Sequence, residues 1–146
     1  MKKLVLAAAA IVWGSSAFAT GGFSCDIKDD GISFSIEGVT SHGFGAAIVS
    51  ATGRLATQVG DDGHVREINF DYSREDIKQY WNHLKDFKLV VYKETENQTE
   101  YQWTQAVIET TDPNDSGEFT GSLKLKGGGD GMSEWNYEFP ITCYVE

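Results

Sequence analysis

The residues best suited to chemistry form the run Asp112-Pro113-Asn114-Asp115-Ser116-Gly117. Side-chain oxygens of Asp112, Asn114 and Ser116 recur at alternate positions, with a glycine for a sharp turn, as in the opening of a calcium loop. A hard cation takes such oxygens, and Phe119 fits the apolar eighth position of the pattern. Position twelve, however, is Leu123 where a bidentate Glu is needed, and the flanks read as strands. This is no EF-hand. Asp, Asn, Pro, Ser and Gly also build ordinary hairpin turns, so the composition favours a turn, with calcium as the alternative cofactor.

Nucleophilic and metal chemistry find less support. The chain has no G-x-S-x-G elbow, no H-E-x-x-H and no C-x-x-C. His42 sits in Ser41-His42-Gly43-Phe44-Gly45, a glycine-rich loop that could project a base or, with Phe44, a binding surface. His64 follows Asp61-Asp62-Gly63, where a carboxylate–imidazole pair is conceivable. Neither His has an orienting partner identifiable by spacing, so polar loop residues are the simpler reading. The 22 Asp and Glu make some close acidic pair almost inevitable, so no glycosidase-like dyad can be argued from them. The two Cys, Cys25 and Cys143, lie near opposite ends of the chain, and no His stands at zinc-ligand spacing from them. In an exported chain this pair reads as a disulfide.

Strands must position these residues, because period-2 alternation recurs along the chain. Ile32, Phe34 and Ile36 alternate with Ser33, Ser35 and Glu37, and Ile68, Phe70 and Tyr72 with Asn69 and Asp71. Further strands are expected over 23–27, 46–51, 54–59, 87–93, 101–110 and 119–126. Trp135, Tyr137, Phe139, Ile141, Cys143 and Val145 hold one face of the last strand, while Pro140 on the other face suggests a bulge or an edge. Thr52-Gly53 reads as a two-residue hairpin, and Gly127-Gly128-Gly129-Asp130-Gly131 as a flexible turn. One segment breaks the period: Ile77, Tyr80, Trp81 and Leu84 fall at i, i+3, i+4 and i+7 behind a Ser73/Asp76 capping box. That spacing predicts an amphipathic helix over residues 74–85 with these four side chains in the core.

The expected fold is therefore all-β, mainly antiparallel, with about eight or nine strands and one short amphipathic helix. Both Cys share the apolar register of the first and last strands, so a bond between them makes those strands adjacent or opposed. Adjacency closes a meander barrel and opposition makes a β-sandwich; the barrel is preferred because closure removes two edges.

Lys2 and Lys3, the apolar run of residues 4–13 and the small-x-small site Ala17-Phe18-Ala19 read as a secretory signal peptide over residues 1–19. One β-rich domain over 20–146 follows, exported to the periplasm or beyond the cell. No other apolar run approaches the length of a membrane span, so none is expected. Twelve Lys and Arg against 22 acids give a net charge of −10, and loss of the two lysines of the leader makes it −12. Such a chain repels nucleic acid and anionic membrane surfaces, and it suits a cationic partner. The reading this supports is a non-catalytic exported binding module, a protein inhibitor or small-ligand binder on a disulfide-closed acidic scaffold. The alternatives are a small hydrolase of envelope polymers using carboxylates, and a structural envelope protein.

Overall fold

The computed structural model describes residues 20–29, 31–41, 47–61, 64–95 and 100–146. The expected leader, and the loop residues His42 and Phe44, lie outside the described residues. Among the described residues nine strands follow in chain order: β1 (Thr20–Asp29), β2 (Ile32–Ser41), β3 (Ile48–Asp61), β4 (His64–Ser73), β5 (Ile77–His83), β6 (Asp86–Glu94), β7 (Gln102–Thr111), β8 (Glu118–Gly129) and β9 (Met132–Val145). They form one curled, half-barrel sheet in the order β4-β3-β2-β1-β9-β8-β7-β6-β5, every neighbouring pair antiparallel. Each half, β1 to β4 and β5 to β9, is a local meander. The chain's two end strands meet in the middle.

The concave face is the core. Alternation buries Phe34 and Ile36 of β2, Leu55 and Val59 of β3, Phe87, Leu89 and Val91 of β6, and Leu123 and Leu125 of β8 almost completely. Curling brings distant strands together there: the Phe23 ring of β1 lies 5.4 Å from Phe87 and 5.8 Å from Tyr80. The Tyr72 hydroxyl of β4 shares a 2.8 Å hydrogen bond with Thr104 of β7, both side chains buried. Burial pushes the Tyr72 phenol up to about 12, partly offset by Thr104 and reinforced by the Asp76 charge.

Only four residue pairs join β1 to β9, Phe23↔Val145 to Asp26↔Thr142, against ten between β1 and β2. Cys25 and Cys143 are one of the four, and they form the expected disulfide with Cα atoms 4.1 Å apart. Val145 N–H donates to Gly117 O, and Glu146 N–H donates to Gly22 O. From Trp135 onward, past the register shift at Gly127–Gly129, odd-numbered residues of β9 therefore turn their backbones to β8 and even-numbered ones to the β1 side. Cys143 is thus at a non-hydrogen-bonded position opposite Cys25, the close-approach site of an antiparallel ladder. By the same phase Pro140 faces the side where β1 has already diverged, so its missing N–H breaks no ladder bond. The expected edge at Pro140 is there.

Three local expectations are corrected. Residues 77–83 are strand β5, and among the described residues the only helical piece is a 3-10 turn, Arg74–Asp76. The capping box forms, with Ser73 N–H and Oγ donating to Asp76 Oδ2 at 2.7 and 3.0 Å, but Ile77 returns to extended backbone (φ −76°, ψ 115°). The edge of β6 offers Ile77 to His83 a ladder, which outweighs weak local preference in a segment that carries the strand formers Ile77, Tyr80 and Trp81. Trp81 is 56% exposed and Leu84, at the hairpin tip with φ +54°, 81% exposed, whereas Ile77 and Tyr80 pack against the core. Second, β3 runs straight through Thr52-Gly53. Glycine is needed there because a Cβ would stand 2.7 Å from Ser35 O. Third, residues 127–129 belong to β8, and the turn is Asp130-Gly131 alone. A Cβ on Gly127 would strike the Trp135 ring on the concave face, and one on Gly128 would lie 3.1 Å from Trp103 Nε1 on the other.

Removing the crosslink with Cys25→Ala/Cys143→Ala opens a loop of 118 residues in the unfolded chain. Urea denaturation should show a loss of about 2–5 kcal/mol. Trp81→Ala, by contrast, should change stability by no more than about 0.5 kcal/mol in the same assay.

Candidate functional site

The first candidate is the β7–β8 connection. Asp112 is buried, and its carboxylate accepts hydrogen bonds from Asn114 N–H (3.0 Å), Ser116 Oγ (3.1 Å) and Gly117 N–H (2.7 Å). Ser116 Oγ in turn accepts Glu118 N–H at 3.3 Å. Asp115 (φ +58°) and Gly117 (φ +82°) supply the left-handed backbone that wraps the loop around this carboxylate. Desolvation by itself would raise the Asp112 pKa, but the donors from Gly117, Asn114 and Ser116 outweigh it and hold the carboxyl below its ordinary 3.8. The structure brings Asp112 and Ser116 together, with Asn114 held through its backbone. The arrangement points donors at the oxygens a cation would use. Among the described residues no group of three or more His, Cys, Asp or Glu is placed to hold a metal ion. The loop also docks on the β5–β6 turn: Asp112 N–H donates to Lys85 O (2.9 Å), and Lys85 Nζ to Pro113 O (2.6 Å).

The second candidate was not foreseen in the sequence. Eight antiparallel steps separate β4 from β5 along the sheet, so the two run parallel, with β5 carrying on from β4 through the 3-10 turn. No described strand pairs with the outer side of either. The seam between them is held by side chains. Arg74 Nε donates to Ile48 O of β3 at 2.7 Å, and Lys93 Nζ of β6 donates to Asp71 O of β4 at 2.7 Å. Lys93 also meets Asp76 Oδ2 at 3.2 Å, where the Asp76 side chain is only 15% exposed. The same carboxylate thus caps the 3-10 turn and anchors β6.

Beyond the start of β5 the seam widens into an open groove of about 640 Å³ between β4 and the end of β6. Asp71, Glu75, Asp76 and Glu94 line it, with Lys78 and Lys93 as the cations. Both lysines are engaged: Lys78 Nζ donates to Glu75 O at 2.9 Å, and Lys93 makes the contacts given above. Glu94 accepts the Tyr92 hydroxyl, and this hydrogen bond, with burial and the nearby Tyr101, raises the Tyr92 pKa. Asp71 faces Arg54 on its inner side at 3.8 Å, both largely exposed. A capping box was the one local signal for Asp76; nothing in the sequence marked Lys93 or Arg74.

Elsewhere the convex face carries a Lys88–Glu109–Lys124 cluster, at 3.6 and 3.3 Å, in which Lys124 and Lys88 hold the Glu109 carboxyl low. His83 ends β5 with its ring 5.8 Å from Trp81, and His64 opens β4 opposite Asp61 in the register. Comparison of the chain with protein-family models, with curated proteins and with solved structures gave no match.

The depressed Asp112 pKa sets a testable pH dependence. Its folded value lies below its unfolded one, so its contribution to stability is complete above the ordinary carboxylate range and fades as pH falls through the folded value. Asp112→Asn should therefore be less stable than wild type in urea melts at pH 7, and the gap should narrow toward pH 2.5. A gap independent of pH would show that the carboxylate charge is immaterial to the turn.

Proposed function

We propose that this chain is an exported, non-catalytic binding module whose partner is cationic and is taken at the acidic groove of the β4–β6 seam. The observation that carries the reading is where open space lies. The concave interior is filled by Phe34, Phe87, Leu55, Leu89, Ile108 and Leu123, all fully buried, which favours a macromolecular partner over a small ligand held inside. The wide cavity is instead an open surface groove whose lysines are tied to backbone carbonyls and, for Lys93, to Asp76, while Glu75 and Glu94 stand exposed. Carboxylates on a concave surface focus the field of a chain of net charge −10 and steer a basic partner inward. The leader-like residues 1–19 and the disulfide support export to an oxidising compartment. The sheet itself is read as a meander barrel, its ring completed at the seam by Arg74, Asp76 and Lys93 instead of a ladder.

Surface plasmon resonance against immobilised decalysine tests the assignment. Raising salt from about 0.01 M to 0.15 M shortens the screening length from roughly 30 Å to 8 Å and should slow association. Glu75→Lys/Glu94→Lys should weaken binding at least about tenfold, a change of about 1.4 kcal/mol. Asp26→Lys/Glu138→Lys, the same charge change on exposed residues outside the groove, should weaken it far less. Equal losses in the two variants would remove the groove from the reading and leave only net charge.

A further inference from the structure

The outer edge of β4 opens into this groove, and hydrogen bonds fix which backbone groups it presents. Gln58 N–H donates to Gly31 O, so even-numbered residues in this part of β3 turn toward β2 and odd-numbered ones toward β4. The register Thr57↔Ile68 and Leu55↔Phe70 then turns the backbones of Ile68 and Phe70 inward to β3. Val65, Glu67, Asn69 and Asp71, one residue out of phase, turn theirs outward. Two bonds agree with this phase: Lys93 Nζ reaches Asp71 O from outside, and Ser73 N–H is taken by Asp76. From Val65 to Asn69, and at the Asp71 N–H, no described residue occupies the outward groups.

We infer that this edge accepts an extended cationic segment of the partner by strand addition, centred on Asn69. The inference rests on the groove reading above and names how the partner is held there. Main-chain pairing would supply affinity, and side chains at alternate positions would supply choice. The exposed side chains of Glu67 and Asp71 flank Asn69 on one face, so a strand with Lys or Arg at every second position sets cations opposite both acids. The same acids disfavour a second copy of this chain, because pairing β4 with β4 sets like charges together. Charge thus selects a basic segment over self-association.

The test uses an acetylated ten-residue peptide of alternating Lys and Thr and its fully N-methylated counterpart, which keeps every charge and loses the backbone donors. Fluorescence anisotropy should show the methylated peptide binding at least about tenfold more weakly to the wild-type protein. Amide exchange at Glu67, Asn69 and Asp71 should slow by a similar factor on saturation with the unmethylated peptide. Asn69→Pro, which removes an outward donor and spares the inward pairs, should abolish the difference between the peptides. If both peptides bind alike and salt-dependently, with those amides unprotected, strand addition is wrong while the acidic groove stands. If neither binds in about 0.01 M salt, where screening is weakest, the groove reading fails with it.

Discussion

Everything in this sheet hangs on the short ladder between β1 and β9. In the two meanders flanking it, strands that follow one another in the sequence pair with one another, so their order is set locally. Their union is different: it joins positions 118 residues apart through four pairs. Ordering so long a loop is a large entropic demand, and a ladder of four residue pairs, two of them hydrogen-bonded, contributes little against it. The Cys25–Cys143 bond removes that demand by restricting the unfolded chain. Phe23, two residues before Cys25, then packs on Phe87 and Tyr80 and fixes how one half of the sheet leans over the other. The curl, the filled interior and the position of the seam all follow from this junction.

The opposite side of the sheet solves the edge problem by other means. Two unpaired strand edges invite unwanted pairing with other chains. Here β4 and β5 are edges of one sheet and also successive pieces of one path, so the 3-10 turn between them can be gripped from both flanks. Arg74 grips Ile48 and Lys93 grips Asp71 and Asp76, each with one side chain on a backbone carbonyl. Side-chain bonds of this kind leave gaps where a ladder would leave none. The acidic groove is such a gap.

What was legible in the sequence was whatever depends on alternation. The strands carrying Phe34, Phe70 and Leu123, the apolar face from Trp135 to Val145, and the pairing of two Cys in matching register all rest on period 2. What was illegible depended on a neighbour far along the chain. Residues 77–84 match a helical stripe by spacing, and only the waiting edge of β6 makes them a strand. Gly53 and Gly127 look like turn residues until Ser35 O and the Trp135 ring are seen to occupy the room a side chain would need. The seam was hidden for the same reason: Asp76 announces a cap, but its second role requires Lys93, placed only by the hairpin that follows. The turn of Asp112 was readable as either a loop or a cation site, and its hydrogen bonds show how the same oxygens serve the loop.

The disulfide's place in its ladder also decides how the molecule bears load. Thr20 and Glu146 emerge at the same end of neighbouring antiparallel strands, so tension on both draws β1 and β9 apart in a zipper-like peel rather than along their length. Zippers open one rung at a time at low force. After Phe23↔Val145 and Ser24↔Tyr144 the next rung is Cys25↔Cys143, and there the peel meets a covalent stop. Tension applied at Thr20 and Glu146 is thereby stopped at the third rung, and the core residues beyond it, such as Ile27 and Phe34, are shielded from it while the bond is intact.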